Sequence, residues 1–138
     1  MEAVVERPEL FRVFVNDREV KALPGEWWLD RAFGVFPVGP HVVSGKNKIT
    51  VKAKPFTIHS ELEPVYLLGD FRLAGATRGF ELHPSAPLAA GSWKAQGLPF
   101  YGAGVRYRKT YFVPQDKPRP VYRLLLGSWL GATAAVFV

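Results

Sequence analysis

Four tryptophans set the first question in this 138-residue sequence, because an indole ring offers a flat apolar face to the C–H bonds of a sugar. Trp27 and Trp28 are adjacent in "GEWWLDRAF", Trp93 opens "GSWKAQGLPFYGAG", and Trp129 lies in "LLGSWLG". Phe100 and Tyr101 add two further rings. Asp30, Gln96, Arg106 and Asp70 offer fixed donors and acceptors for hydroxyl groups. Flat faces beside a few polar groups are the chemistry of carbohydrate recognition, and the candidate contacts are Trp27, Trp28, Asp30, Trp93, Gln96, Tyr101 and Arg106. Adjacent residues on a strand point opposite ways, so Trp27 and Trp28 cannot both enter a single-sided core. For Trp93 and Tyr101 packing is the stronger expectation, since large rings often fill the seam of a sandwich.

Catalytic chemistry finds less support. Glycoside hydrolysis uses two carboxyl groups about 5 to 10 Å apart across a cleft. Glu61 and Glu63 lie two residues apart and share one face of any strand that carries them, which makes no cleft. Surface charge, or pairing with Arg72 or Arg78, suits them better. His41, His59 and His83 show no metal-ligand spacing, and no serine stands in a Gly-x-Ser-x-Gly elbow. "YGAGVRY" leads Gly102-x-Gly104 into a strand-like run, where a phosphate site needs a helix. The expectation is a protein without catalytic residues, metal or cofactor of its own.

Hydrophobic residues make up 48% and charged residues 22%, the balance of a globular chain long enough for one core. The absence of cysteine excludes disulfide frameworks, thiolate metal clusters and cysteine nucleophiles. No apolar run is long enough to span a bilayer, and "MEAVVERPEL" is acidic where a signal peptide is basic. The net charge of +6 invites a second function class, a basic sandwich that binds nucleic acid or another acidic polymer. Against it, Lys46, Lys48, Lys52 and Lys54 alternate with Ile49, Val51 and Ala53. Such a pattern describes a half-buried strand whose lysines discourage edge-to-edge pairing.

The elements that must carry these residues are strands. Twelve prolines and thirteen glycines leave little room for a helix of three turns. "LFRVFV" ends at the Asn16-Asp17 turn, "NKITVKAK" alternates, and "PVYLLGDFRLA" is apolar around a bulge or bend at Gly69-Asp70. "GVRYRKTYFV", "PVYRLLLGSWL" and "ATAAVFV" also read as strands. "ALPGEWWLDRAFGVFPVGPHVVSG" reads as a long loop with a helical turn near Leu29 to Phe33. "GATRGFELHPSAPLAAG" reads as a connection, and "PQDKPRP" as a polar turn. Short strands between dense turn signals predict an all-β antiparallel sandwich of jelly-roll type.

Val13-Phe14-Val15 recurs as Val136-Phe137-Val138, which a repeated unit or chance would equally produce. "GSWKAQGLPFYGAGVRYRKTYFVP" followed by "YRLLLGSWLGATAAVFV" resembles the opening of the galactose-binding-like sandwich of glycoside hydrolases of the β-galactosidase, β-glucuronidase and rhamnosidase types. Trp93, Gln96, Gly97, Pro99, Phe100, Tyr101, Tyr107 and Arg108 fit its pattern. "FRVFVNDREV", "VVSGKNKITVKA" and "ELEPVYLLGDFRL" resemble the closing part of the same kind of unit. Asn16-Asp17 stands where the family has asparagine-glycine, and no catalytic barrel or toroid is present to receive the family's hydrolytic residues. The resemblance implies one sandwich domain over residues 1–138, in which 1–73 matches the closing part of one unit and 74–138 the opening part of the next. It implies an accessory module that binds an oligo- or polysaccharide or scaffolds a parent enzyme's catalytic domain. A fragment without activity of its own, and a homodimer through open strand edges, are further expectations.

Overall fold

Alternation decides the first sheets. In "EAVVE" and "RVFV" the β-branched and aromatic residues fill both the inward and part of the outward positions, and each run becomes a strand. Residues 1–112, 121–128 and 130–137 are described by the computed structural model of the chain. Trp129, the "PQDKPRP" turn and the final Val138 of the Val-Phe-Val echo lie outside the described residues. The chain forms two compact units, Met1–Phe71 and Arg72–Val138.

The first unit carries β1 (Glu2–Glu6), β2 (Arg12–Val15), β3 (Arg18–Val20), β4 (Trp27–Trp28), β5 (Asp30–Phe36), β6 (Ile49–Lys52) and β7 (Tyr66–Leu68). One sheet has the order β4-β5-β1-β7 and the other β3-β2-β6, and the pairings are antiparallel. Ala3, Val5 and Phe36 of the first sheet meet Val13, Val15 and Val20 of the second in one buried cluster with Val38. Ile49, Val51 and Leu67 pack against it. Burial of each valine contributes about 1.5–3 kcal/mol, and these side chains join the sheets face to face. The all-β antiparallel sandwich read from the sequence is what the chain forms.

Local chemistry sets the turns. Val15 pairs with Arg18 across Asn16 and Asp17, whose φ values are +48° and +67°. A two-residue hairpin of this hand needs two left-handed residues, which Asn and Asp tolerate. Asn16 then ties the hairpin down: its Nδ2 donates to the His41 carbonyl at 3.0 Å and to Asn47 Oδ1 at 2.8 Å. Its Oδ1 accepts from the Lys48 amide at 3.0 Å. The strand β6 lies at a sheet edge, as its lysines suggested, with Ile49 and Val51 turned to the core.

The second unit holds β8 (Phe71–Gly75, which begins at the boundary residue) and β9 (Phe80–Pro84), paired with each other, and a 3-10 turn at Lys94–Gln96. None of its described residues is fully buried.

Three expectations are corrected. The segment read as a long loop with a helical turn contains β4 and β5; its prolines, Pro24, Pro37 and Pro40, flank the strands and leave "EWWLDRAFGVF" free to pair. Gly69-Asp70 does form a bend, and it separates two strands that enter different sheets. The presumed connection after Gly75 contains β9. The described residues of "GVRYRKTYFV", "PVYRLLLGSWL" and "ATAAVFV" form no strand, because alternation needs a neighbouring strand to hydrogen-bond and none lies alongside among the described residues.

Candidate functional site

The hairpin that joins β4 to β5 presents the two adjacent tryptophans to opposite faces. Trp27 pairs with Gly34, itself opposite Val5 on the core side. The register shifts between Trp27 and Trp28, and Leu29 is held at φ +63°. Trp28 therefore turns to the outer face, where its ring centroid lies 5.3 Å from that of Tyr66. Phe33 approaches the same Tyr66 edge-on at 6.2 Å. Trp28 is thus half-buried in an aromatic layer, while Trp27 keeps 52% of its surface exposed.

Trp27 forms the rim of an open hollow of about 490 Å³, whose other lining residues include Pro8, Leu23, Glu26, Arg31 and Gly34. Pro8 packs so close to Gly34 that any β-carbon there would meet its ring at 2.5 Å. Trp27, Arg31 and Glu26 therefore all line one concavity, and residues of these types suit a polyhydroxylated ligand. Asp30 contributes by folding: its Oδ1 accepts from the Ala32 amide at 2.8 Å and shapes the start of β5. Arg31 and Glu26 were missed from sequence; the signal was their place beside "WWLD", within reach of one hairpin.

The second cluster belongs to the other unit. Gln96 Oε1 accepts from the Ala89 amide at 2.8 Å, and its Nε2 donates to the carbonyls of Ala89 at 3.0 Å and Ser92 at 3.2 Å. The amide group is engaged within the loop that it closes. Gly97, at φ +91°, ends the turn, and its carbonyl accepts from the Leu73 amide of β8 at 2.7 Å. Trp93 meets Tyr101 edge-on at 6.1 Å and donates to the Tyr107 hydroxyl at 2.7 Å. The Tyr101 hydroxyl donates to the Gly104 carbonyl at 3.1 Å. Trp93, Gln96 and Tyr101 are therefore brought together as a wired loop, and Arg106 lies exposed next to Tyr107.

Of the remaining sequence candidates, Phe100 packs edge-on against Phe80 at 5.4 Å. Glu61 and Glu63 lie exposed and outside any strand. Among the described residues no three His, Asp or Glu side chains gather as a metal site, and no helix is long and apolar enough to cross a membrane. Comparison with protein-family models, with curated proteins and with solved structures returned no match.

Proposed function

We propose that this chain is a noncatalytic carbohydrate-binding module and that the hollow beside Trp27 takes the sugar. The single observation that carries this function is the position of Trp27. A large ring stays half exposed on a short strand, at the edge of a hollow, with Arg31 and Glu26 beside it. Sugar binding uses such a preset ring because little side-chain freedom is lost on contact. The jelly-roll arrangement, and a place beside the catalytic domain of a parent glycoside hydrolase, belong to the same proposal. Their support is the order of the Trp93, Gln96-Gly97 and Pro99-Phe100-Tyr101 motifs.

Calorimetric titration with a panel of neutral plant and bacterial polysaccharides tests it. Trp27→Ala is expected to weaken binding about tenfold, the factor that about 1.4 kcal/mol of lost ring contact represents. Binding that the native chain never shows, or that Trp27→Ala leaves intact, would refute it. Self-association through open strand edges is proposed as well, supported by β7, an edge strand whose three residues include neither lysine nor proline. A monomer in light scattering over a wide concentration range counts against that part.

A further inference from the structure

The charge of the chain is not shared evenly. Residues 1–71 hold nine Lys and Arg against ten Asp and Glu, whereas residues 72–138 hold nine against two. The positive balance of the whole protein is therefore a property of its second unit. Among the described residues of that unit the one carboxylate is Glu81, and it lies 3.7 Å from His83. Arg106, Arg108 and Lys109 consequently have no acidic partner among the described residues, and all three are exposed.

Their geometry is fixed at one point. The chain runs from Gly104 to Phe112 without helix, turn or bend. Tyr107 is anchored to the Trp93 loop through its hydroxyl, which accepts from the indole at 2.7 Å and donates to the Ala89 carbonyl at 3.2 Å. Arg106 and Arg108 directly flank that anchored tyrosine in the chain, and Lys109 follows them. Two exposed guanidinium forks beside one fixed point match carboxylates carried at intervals along a polymer, because each fork can donate two parallel hydrogen bonds to a carboxylate.

We infer that the Arg106–Lys109 strip binds the carboxylate groups of an acidic polysaccharide. This rests on the carbohydrate reading above for the class of the polymer, and on the second unit's own charge for the rest. Single-stranded nucleic acid is disfavoured, because its binders offer successive open ring faces for stacking. Here the Lys109 ammonium sits 5.0 Å over the Tyr111 ring, and the Tyr107 hydroxyl is tied to the loop. Phe112, 93% exposed, is a single platform.

Affinity electrophoresis of the full chain tests the strip with three probes: polygalacturonate, a neutral galactan and a single-stranded DNA oligomer. Polygalacturonate is expected to retard the native chain. Its affinity should fall about tenfold or more between about 50 and 200 mM salt, as displaced counterions require. The triple variant Arg106→Gln, Arg108→Gln, Lys109→Gln should lose this retardation while its circular dichroism and any galactan binding stay unchanged. Trp27→Ala should remove galactan binding and keep the polygalacturonate response, so failure of the hollow and failure of the strip give different patterns. Polygalacturonate retardation that is absent, or that survives in the triple variant, overturns the inference. So does DNA binding stronger than polygalacturonate binding and lost in the same variant.

Discussion

The indole N–H of Trp93 donates to the Tyr107 hydroxyl at 2.7 Å, and that hydroxyl passes a hydrogen bond on to the Ala89 carbonyl at 3.2 Å. Tyr107 is thereby fixed to a loop 14 to 18 residues earlier in the chain without a buried apolar side chain. In the first unit valines do this work; in the second, side-chain polar groups do it. The two units are expected to respond to different perturbations.

Among the described residues of the second unit, the Gln96 side chain makes three hydrogen bonds to the backbone. Replacing it with alanine removes the acceptor of the Ala89 amide and both donors to nearby carbonyls. The expected loss is about 1 kcal/mol, confined to this loop. Hydrogen exchange read by NMR should show a several-fold faster Ala89 amide, with the amides of β1 unchanged.

Trp28 and Trp27 should separate stability from presentation. Trp28→Ala deletes the ring that leans on Tyr66 at 5.3 Å, a contact of about 0.5–1.5 kcal/mol beyond area burial. Trp27→Ala removes a ring that is half in solvent. Thermal unfolding is expected to fall clearly in the first variant and little in the second.

Gly34→Ala should destabilise the first unit by about 1–3 kcal/mol, since the new methyl would lie 2.5 Å from the Pro8 ring. Adding Pro8→Gly should recover part of that loss. A urea midpoint for the single variant equal to the native one would show that Pro8 moves aside without cost.

Glu19 supplies a pH signature. The hydrogen bonds from Arg12, at 2.6 and 3.0 Å, and then from Lys21, at 2.8 Å, hold its carboxyl down from the ordinary 4.5 to about 2. A carboxyl depressed on folding stabilises the folded chain above its unfolded value and loses that effect as pH falls through the folded one. The advantage of the native chain over Glu19→Gln should therefore be full above pH 4.5 and fade toward about 2. Thermal midpoints measured across that window check it; a difference that does not change with pH contradicts the pairing.

Strands with a partner nearby in the chain were legible. "RVFV" alternates and turns at Asn16-Asp17 to pair with β3, and the alternating "ITVK" then pairs with its other edge. "DRAFGVF" was read as loop because three prolines and two glycines surround it, yet composition counts breakers without locating them. "VRYRKTYF" failed in the opposite sense, since its partial alternation says nothing of whether a second strand lies alongside. Trp27 was legible as a ring held out of the core by its neighbour. Arg31 and Glu26 were not, because their place beside it depends on the register shift between Trp27 and Trp28.

That shift also defines a transferable piece. Because the shift falls between Trp27 and Trp28, with left-handed Leu29 just after it, the tetrapeptide Trp27-Trp28-Leu29-Asp30 combines one ring braced against Tyr66 with one ring displayed to solvent. A loop graft into another sandwich would have to carry the backbone twist along with the side chains. Shuffling either tryptophan alone would separate foundation from fingertip.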